Sequence, residues 1–151
     1  KMVENHHNFA WKEMLDDKEV IVNRKGATPA GKNVLGIIPG SMTADGFIVK
    51  GKGETASVNS ASHGAGRKMS RTKAIESVTD KQFKDELQKF GVKLLGGGLD
   101  ESPFAYKDIN TVMQSQKALV EVVGRFTPKI VKMDGAKHKI WKKKNEEIPG
   151  E

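Results

Sequence analysis

One run of residues holds most of the chemistry this chain could do: Ser57-Val58-Asn59-Ser60-Ala61-Ser62-His63-Gly64-Ala65-Gly66-Arg67-Lys68-Met69-Ser70-Arg71. Histidine can serve as nucleophile or acid–base group near neutral pH. Glycine and alanine let a backbone come close to a ligand, because no large side chain stands in the way. Arginine meets phosphate with a planar fork of donors. The run therefore combines a reactive nitrogen, a small-residue cradle suited to an anion, and cationic clamps. A tight turn carrying a surface histidine accounts for the same letters, so other parts of the chain must decide between the two.

Other candidates are more dispersed. His6-His7 precedes Asn8-Phe9-Ala10-Trp11. In extended backbone, neighbouring side chains point to opposite faces, so one of the two histidines suits a metal and the other suits packing. Arg24-Lys25-Gly26-Ala27 follows a strand and offers phosphate contacts or two solvated cations. Pro39-Gly40-Ser41-Met42 closes an apolar run and offers N–H and hydroxyl donors, or only a turn. Tyr106 could stack on a base or pack with its hydroxyl bonded.

The elements that position these groups follow from the pattern. Strands are expected at 19–22, 34–38, 47–49, 56–60, 92–95 and 126–133, the last with Pro128 suggesting an edge. Residues 28–33 read as a loop and 103–108 as an irregular segment. A helix is expected over 64–78, beginning at the central histidine. Thr79 with Gln82 has the capping-box form, so a second helix runs to about Phe90, with Phe83, Leu87 and Phe90 on one face and Gly91 as the stop. Ile109, Val112, Met113, Gln116, Leu119, Val120 and Val123 recur at helical spacing, which predicts a third helix over 108–123 ended by Gly124. The expected class is α+β, with short strands and helices packed in layers.

The chain has 151 residues, 36% hydrophobic and 30% charged, enough for one domain with a core. No apolar run is long enough to span a bilayer as a helix. Cysteine is absent, which removes disulfides and thiolate metal sites and fits a cytoplasmic protein. A net charge of +7 favours anionic partners, nucleic acid first. The chain opens Lys1-Met2-Val3-Glu4 without a signal segment and reads as a piece of a longer protein. The organisation expected is a main portion at 1–134 and a charged tail at 135–151, where Lys137 to Lys144 surround Trp141.

Five motifs now stand in order: Asn5-His6-His7-Asn8-Phe9, Arg24-Lys25-Gly26-Ala27, Gly36-Ile37-Ile38-Pro39-Gly40-Ser41-Met42, Ser62 to Arg71, and Ala105-Tyr106-Lys107-Asp108-Ile109. Together they resemble the C-terminal portion of the RtcB family of RNA-splicing ligases. The resemblance covers residues 3 to 134. It implies an enzyme that uses GTP and manganese to join RNA 3′-phosphate or 2′,3′-cyclic phosphate ends to 5′-hydroxyl ends, in tRNA splicing or RNA repair. His63 matches the histidine that carries GMP. Asn8, Pro39, Gly40, Ser41, Met42, Gly64, Ala65, Gly66 and Tyr106 match nucleotide-contacting positions. His7 matches a manganese ligand, and Arg67 and Arg24 become candidates for RNA phosphate. The resemblance also admits an archease-type activator as partner.

Two positions depart from the family pattern. Gly46 stands where a second serine is usual, and Met133 where a guanine-contacting lysine is usual, with Lys132 beside it. The remaining metal ligands of the family lie upstream of this chain, so the piece alone is expected to be inactive. A non-catalytic RNA- or nucleotide-binding module is the competing reading. It differs from the ligase in taking no covalent label on His63.

Overall fold

The structure, a computed structural model, describes residues 3, 4, 6 and 8–133. His7 and the expected tail at 135–151 lie outside the described residues. Strands and helices are mixed, as an α+β chain should be, in four small sheets and three helices among the described residues.

The chain begins with a hairpin. Strand β1 (Asn8–Leu15) pairs antiparallel with β2 (Lys18–Lys25), from Asn8 opposite Lys25 to Leu15 opposite Lys18. Asp16 and Asp17 make the two-residue turn, with φ of 48° and 62°. Positive φ at both positions matches the twist of a hairpin, and aspartate tolerates it. β1 was not foreseen, because Trp11, Glu13 and Leu15 alternate inward over too few apolar residues to stand out.

Next come β3 (Ala27–Pro29), β4 (Leu35–Ile38) and β5 (Gly46–Gly51). β3, inside the stretch read as a loop from residue 28, pairs antiparallel with β6 (Ser60–Ser62). The strand expected at 56–60 therefore begins at its last residue. Thr55–Ser57 is a 3₁₀ turn, and Val58 and Asn59 take φ of 55° and 48°. Left-handed backbone cannot continue a strand.

The helix expected over 64–78 is shorter. α1 is Arg71–Ser77, capped by Ser70, whose hydroxyl accepts from Lys73 N–H at 3.1 Å. Residues 64–70 make their hydrogen bonds elsewhere: Lys68 N–H donates to Ala105 C=O (2.9 Å), and Lys107 N–H donates to Gly66 C=O (3.0 Å). α2 (Asp80–Lys89) follows the sequence closely, with the Thr79–Gln82 capping box formed in both directions.

The third helix is also shorter. α3 is Ile109–Ser115; the chain then turns at Gln116 into strand β8 (Val120–Phe126), which pairs with β5. The order in this sheet is β4-β5-β8. Valines at 120, 122 and 123 favour extended backbone, and their spacing alone could not separate the two forms. Gly124 is no helix stop: it faces Ile48, whose Cβ would lie 3.4 Å from a Cβ built there. β7 (Lys93–Gly96) pairs parallel with β9 (Ile130–Lys132), so the expected last strand is confined to residues after Pro128.

Two apolar clusters result. One contains Ile38, Phe47, Val49, Ala61, Ala65, Ile109, Met113 and Val120. The other contains Met42, Val78, Phe83, Leu87 and Val92. The turn at residues 39–41 therefore runs between a residue of the first cluster and a residue of the second. No helix among the described residues is long and apolar enough to cross a membrane.

Candidate functional site

His63 sits where β6 ends. Its backbone N–H donates to Gly26 C=O at 3.1 Å, extending the β3–β6 ladder by one rung. Just before it, Ser62 N–H donates to the side-chain oxygen of buried Gln116 (2.8 Å), and Ser62 Oγ donates to Gly64 C=O (2.6 Å). The half-buried histidine is thus carried on a backbone tied on both sides. Asn8, at the start of β1, stands opposite Lys25, the residue before Gly26. His6 is exposed and stacks on Phe9 with ring centroids 4.9 Å apart, which is the packing role expected for one of the two histidines.

The small residues after His63 have distinct reasons. Ala65 is buried, and its N–H donates to Pro39 C=O at 3.1 Å. A Cβ on Gly64 would also approach that carbonyl to 3.1 Å. Gly66 has φ of +71°, where a Cβ is strained, and the space around its missing Cβ is open. Gly40 cannot carry a side chain, since its Cβ would lie 2.4 Å from Asp45 C=O. Residues 39–41 and 63–66 therefore lie against each other through bare backbone.

Tyr106 joins them from a third direction. Arg67 and Tyr106 form an isolated antiparallel bridge. Ser41, Lys68 and Tyr106 line one open cavity of about 610 Å³, with Phe104 and Asp45 also on its wall. The structure thus gathers Pro39, Gly40, Ser41, Gly64, Ala65, Gly66 and Tyr106 around the His63 loop. Met42 differs: the residue is 2% exposed and packs in the second cluster.

The tyrosine hydroxyl is bonded, which was one of its two sequence readings. It donates to Glu101 Oε2. Burial first, then this bond and the Glu101 charge, push the phenol up to about 12. The Arg67 guanidinium lies 5.2 Å from the ring centroid.

The arginines are corrections. Arg24 is 1% exposed and donates to both oxygens of Glu13 (2.5 and 2.8 Å), to Ser60 Oγ (2.8 Å) and to Val58 C=O (2.9 Å). It is a buried bracket between the hairpin and the turn before β6, not an exposed phosphate clamp. Arg67 donates through Nε to Met69 C=O (3.2 Å) and through Nη2 to Asp100 C=O (2.6 Å), and its buried Nη1 lies 3.5 Å from Glu101 Oε2 without a hydrogen bond. It too is mostly engaged by protein. Arg71, half exposed, pairs with Asp100 (2.5 Å) and Glu101. Burial lowers its affinity for a proton, but these two carboxylates raise it by more.

Asp100 and Glu101, at 3% and 4% exposure, were missed. Their only signal was a pair of carboxylates between Gly98-Leu99 and Ser102-Pro103. Glu13 and Gln116 were missed as well, since isolated polar residues on short elements carry no pattern. Among the described residues, no group of three or more His, Asp or Glu side chains could hold a metal.

The family model described as tRNA-splicing ligase RtcB matches residues 1–134. The RNA-splicing ligase RtcB of Escherichia coli (strain K12) is 46% identical over 118 residues, covering 78% of this chain and 29% of that protein. The tRNA-splicing ligase RtcB of Methanococcus maripaludis is 36% identical over 131 residues, 70% of this chain and 27% of its own length. That of Nanoarchaeum equitans is 35% identical over 147 residues, 81% and 31% respectively. The chain thus spans less than a third of the length of these curated relatives. By these matches the chain belongs to the RtcB family of tRNA-splicing ligases.

Proposed function

We propose that this chain is the C-terminal part of a GTP-dependent RNA ligase, with His63 as the residue that carries GMP. The observation that carries the reading is the placement of His63 on a doubly tied backbone, followed by the glycine backbone of residues 64–66 that lies against the turn at 39–41. A nucleophile must be held in reach of its target with little freedom to lose, and bare N–H groups suit a phosphate.

The reaction then runs in three transfers. An imidazole nitrogen of His63 attacks the α-phosphorus of GTP; an N–P bond forms, the P–O bond to the β-phosphate breaks, and pyrophosphate leaves. An oxygen of the RNA 3′-phosphate attacks the same phosphorus, the N–P bond breaks, and GMP now caps the RNA end. The 5′-hydroxyl of the second RNA attacks the 3′-phosphate, loses its proton, and GMP leaves. A 2′,3′-cyclic phosphate is opened by water before this sequence. In these steps the loop at 64–66 and the turn at 39–42 hold the nucleotide phosphates by backbone, and Tyr106 borders the base.

Manganese, which the resemblance implies, would offset the negative charge of the phosphates. The described residues do not by themselves make a site for it, since His7 lies outside them and no other ligand group is assembled. The other ligands would come from the rest of the complete ligase.

The test is to incubate the complete ligase with GTP labelled at the α-phosphate. An acid-labile label that passes to RNA bearing a 3′-phosphate is expected, with His63→Ala abolishing both. Label and ligation persisting in His63→Ala would refute the assignment, and RNA binding with no label at all would favour the non-catalytic module.

A further inference from the structure

Glu101 takes no part in the transfers above, yet it touches three residues around the site. Its side chain is buried in the 3₁₀ turn Leu99–Glu101. Burying a carboxylate is costly unless its oxygens are paired. Here each oxygen has a separate duty. Oε1 meets Arg71, while Oε2 accepts from the Tyr106 hydroxyl and lies 3.5 Å from Arg67 Nη1. Arg67 in turn lies 5.2 Å from the centroid of the same ring.

We infer that Glu101 is a positioning residue that acts through Tyr106, pinning its ring as a fixed wall of the nucleotide cavity. This rests on the proposed reading of the cavity as the GTP site. A tyrosine swings about χ1 and turns about χ2; anchoring its hydroxyl, which lies on the χ2 axis, stops the swing, and Arg67 over the ring face limits the turn. The hydroxyl is directed to Glu101, so Tyr106 offers the nucleotide a ring surface rather than a hydrogen bond. An ordered aromatic wall loses less rotamer freedom when a base settles against it. Arg71, held by the other oxygen and by Asp100, keeps the carboxylate from turning.

The inference makes Glu101→Gln, which takes the charge from the pin, and Tyr106→Phe, which removes its donor, two ways of weakening one contact. In the complete ligase, each single variant is expected to raise the KM for GTP in self-guanylylation about tenfold, the size of one charge-assisted hydrogen bond. The maximal labelling rate should stay within about twofold, because neither group touches the reacting atoms. The double variant should be no worse than the weaker single, since both act on the same contact. Independent, multiplying effects on KM, or a Glu101→Gln enzyme with unchanged KM, would overturn it. If Glu101→Gln does not fold, Tyr106→Phe must still raise KM, and a failure to do so overturns the inference equally.

A second readout does not depend on ligation. With tyrosine labelled at Cζ and the signal of Tyr106 assigned through Tyr106→Phe, carbon NMR follows the phenol as it ionises. The wild-type group should titrate at about 12, and Glu101→Gln should move it downward, because a neighbouring negative charge has gone. No movement would refute the pin. If wild-type ligase takes no GMP, the proposed function falls, while this titration still decides whether Glu101 holds the ring.

Discussion

Single residues here answer to two kinds of demand. Gly66 is needed for its backbone: φ of +71° with open space beyond it means that any side chain is strained without colliding. Gly66→Ala should therefore cost roughly 1 kcal/mol of stability but lower guanylylation disproportionately, since the methyl would stand over the proposed phosphate path. A urea titration beside a GTP-labelling time course separates the two effects. Arg24 answers to a structural demand. Its partner Glu13 is partly shielded, and Glu13→Ala would leave a buried guanidinium without its main counter-charge. A loss of roughly 3 kcal/mol is expected, near the lower end for a broken buried pair, and chemical denaturation would measure it. Arg24→Lys should not restore the bracket, because an ammonium cannot reproduce the fork that meets both Glu13 oxygens.

At the scale of elements, the sequence was informative wherever a terminus carried its own chemistry. The Thr79–Gln82 box announced α2, and the apolar run before Pro39-Gly40 announced β4. It was uninformative wherever long-range pairing chose between forms. Residues 64–70 obey a helical spacing, but Ala105 and Gly66 exchange backbone bonds with Lys68 and Lys107, and nothing local could reveal that. Residues 116–123 fit a helix by spacing and a strand by their valines, and β5 supplied the partner that decided it. The site was legible in the same uneven way: the residues with motif chemistry were found, while Glu101, Asp100, Glu13 and Gln116, which brace them, were not.

One brace at this scale is open to a pH test. Asp45, before β5, accepts from Thr127 Oγ1 (2.6 Å) and Arg125 Nε (2.6 Å), joining the start of β5 to the end of β8. The Thr127 bond, then the Arg125 bond, hold its carboxyl below the usual carboxylate range. A lowered folded-state pKa adds stability above the unfolded value, and that stability is lost as pH falls through the folded one. Thermal melts of wild type and Asp45→Asn should thus differ near neutrality and converge below about pH 4. A constant difference down to acid pH would refute the role given to this carboxylate.

For the whole molecule, the distribution of charge matters more than its sum. The net charge is +7, yet Arg24, Arg67 and Arg71 all lie within 4 Å of a carboxylate oxygen. The exposed cations on the cavity wall are Lys68, Lys107 and Arg125, the last paired with Asp45, so the proposed RNA contact in this region falls more naturally to the lysines than to the arginines the motif advertises. The chain also covers 29% of its E. coli (strain K12) relative, and its described residues assemble no metal ligand group. The 151-residue chain by itself is expected to take no GMP label under conditions in which the complete ligase does. Gel analysis of both with labelled GTP checks this, and label on the chain alone would show that the site is self-sufficient.

The turn at 39–41 has a mechanical meaning as well. Ile38 is locked in one apolar cluster and Met42 in the other, so the short bare-backbone span between them works as a hinge pin between two solid pieces. Seating a nucleotide against that span would clamp the pieces at their seam. Amide protons in both clusters would then exchange with solvent more slowly together, and GTP would act as a fastener of the fold as well as a reactant.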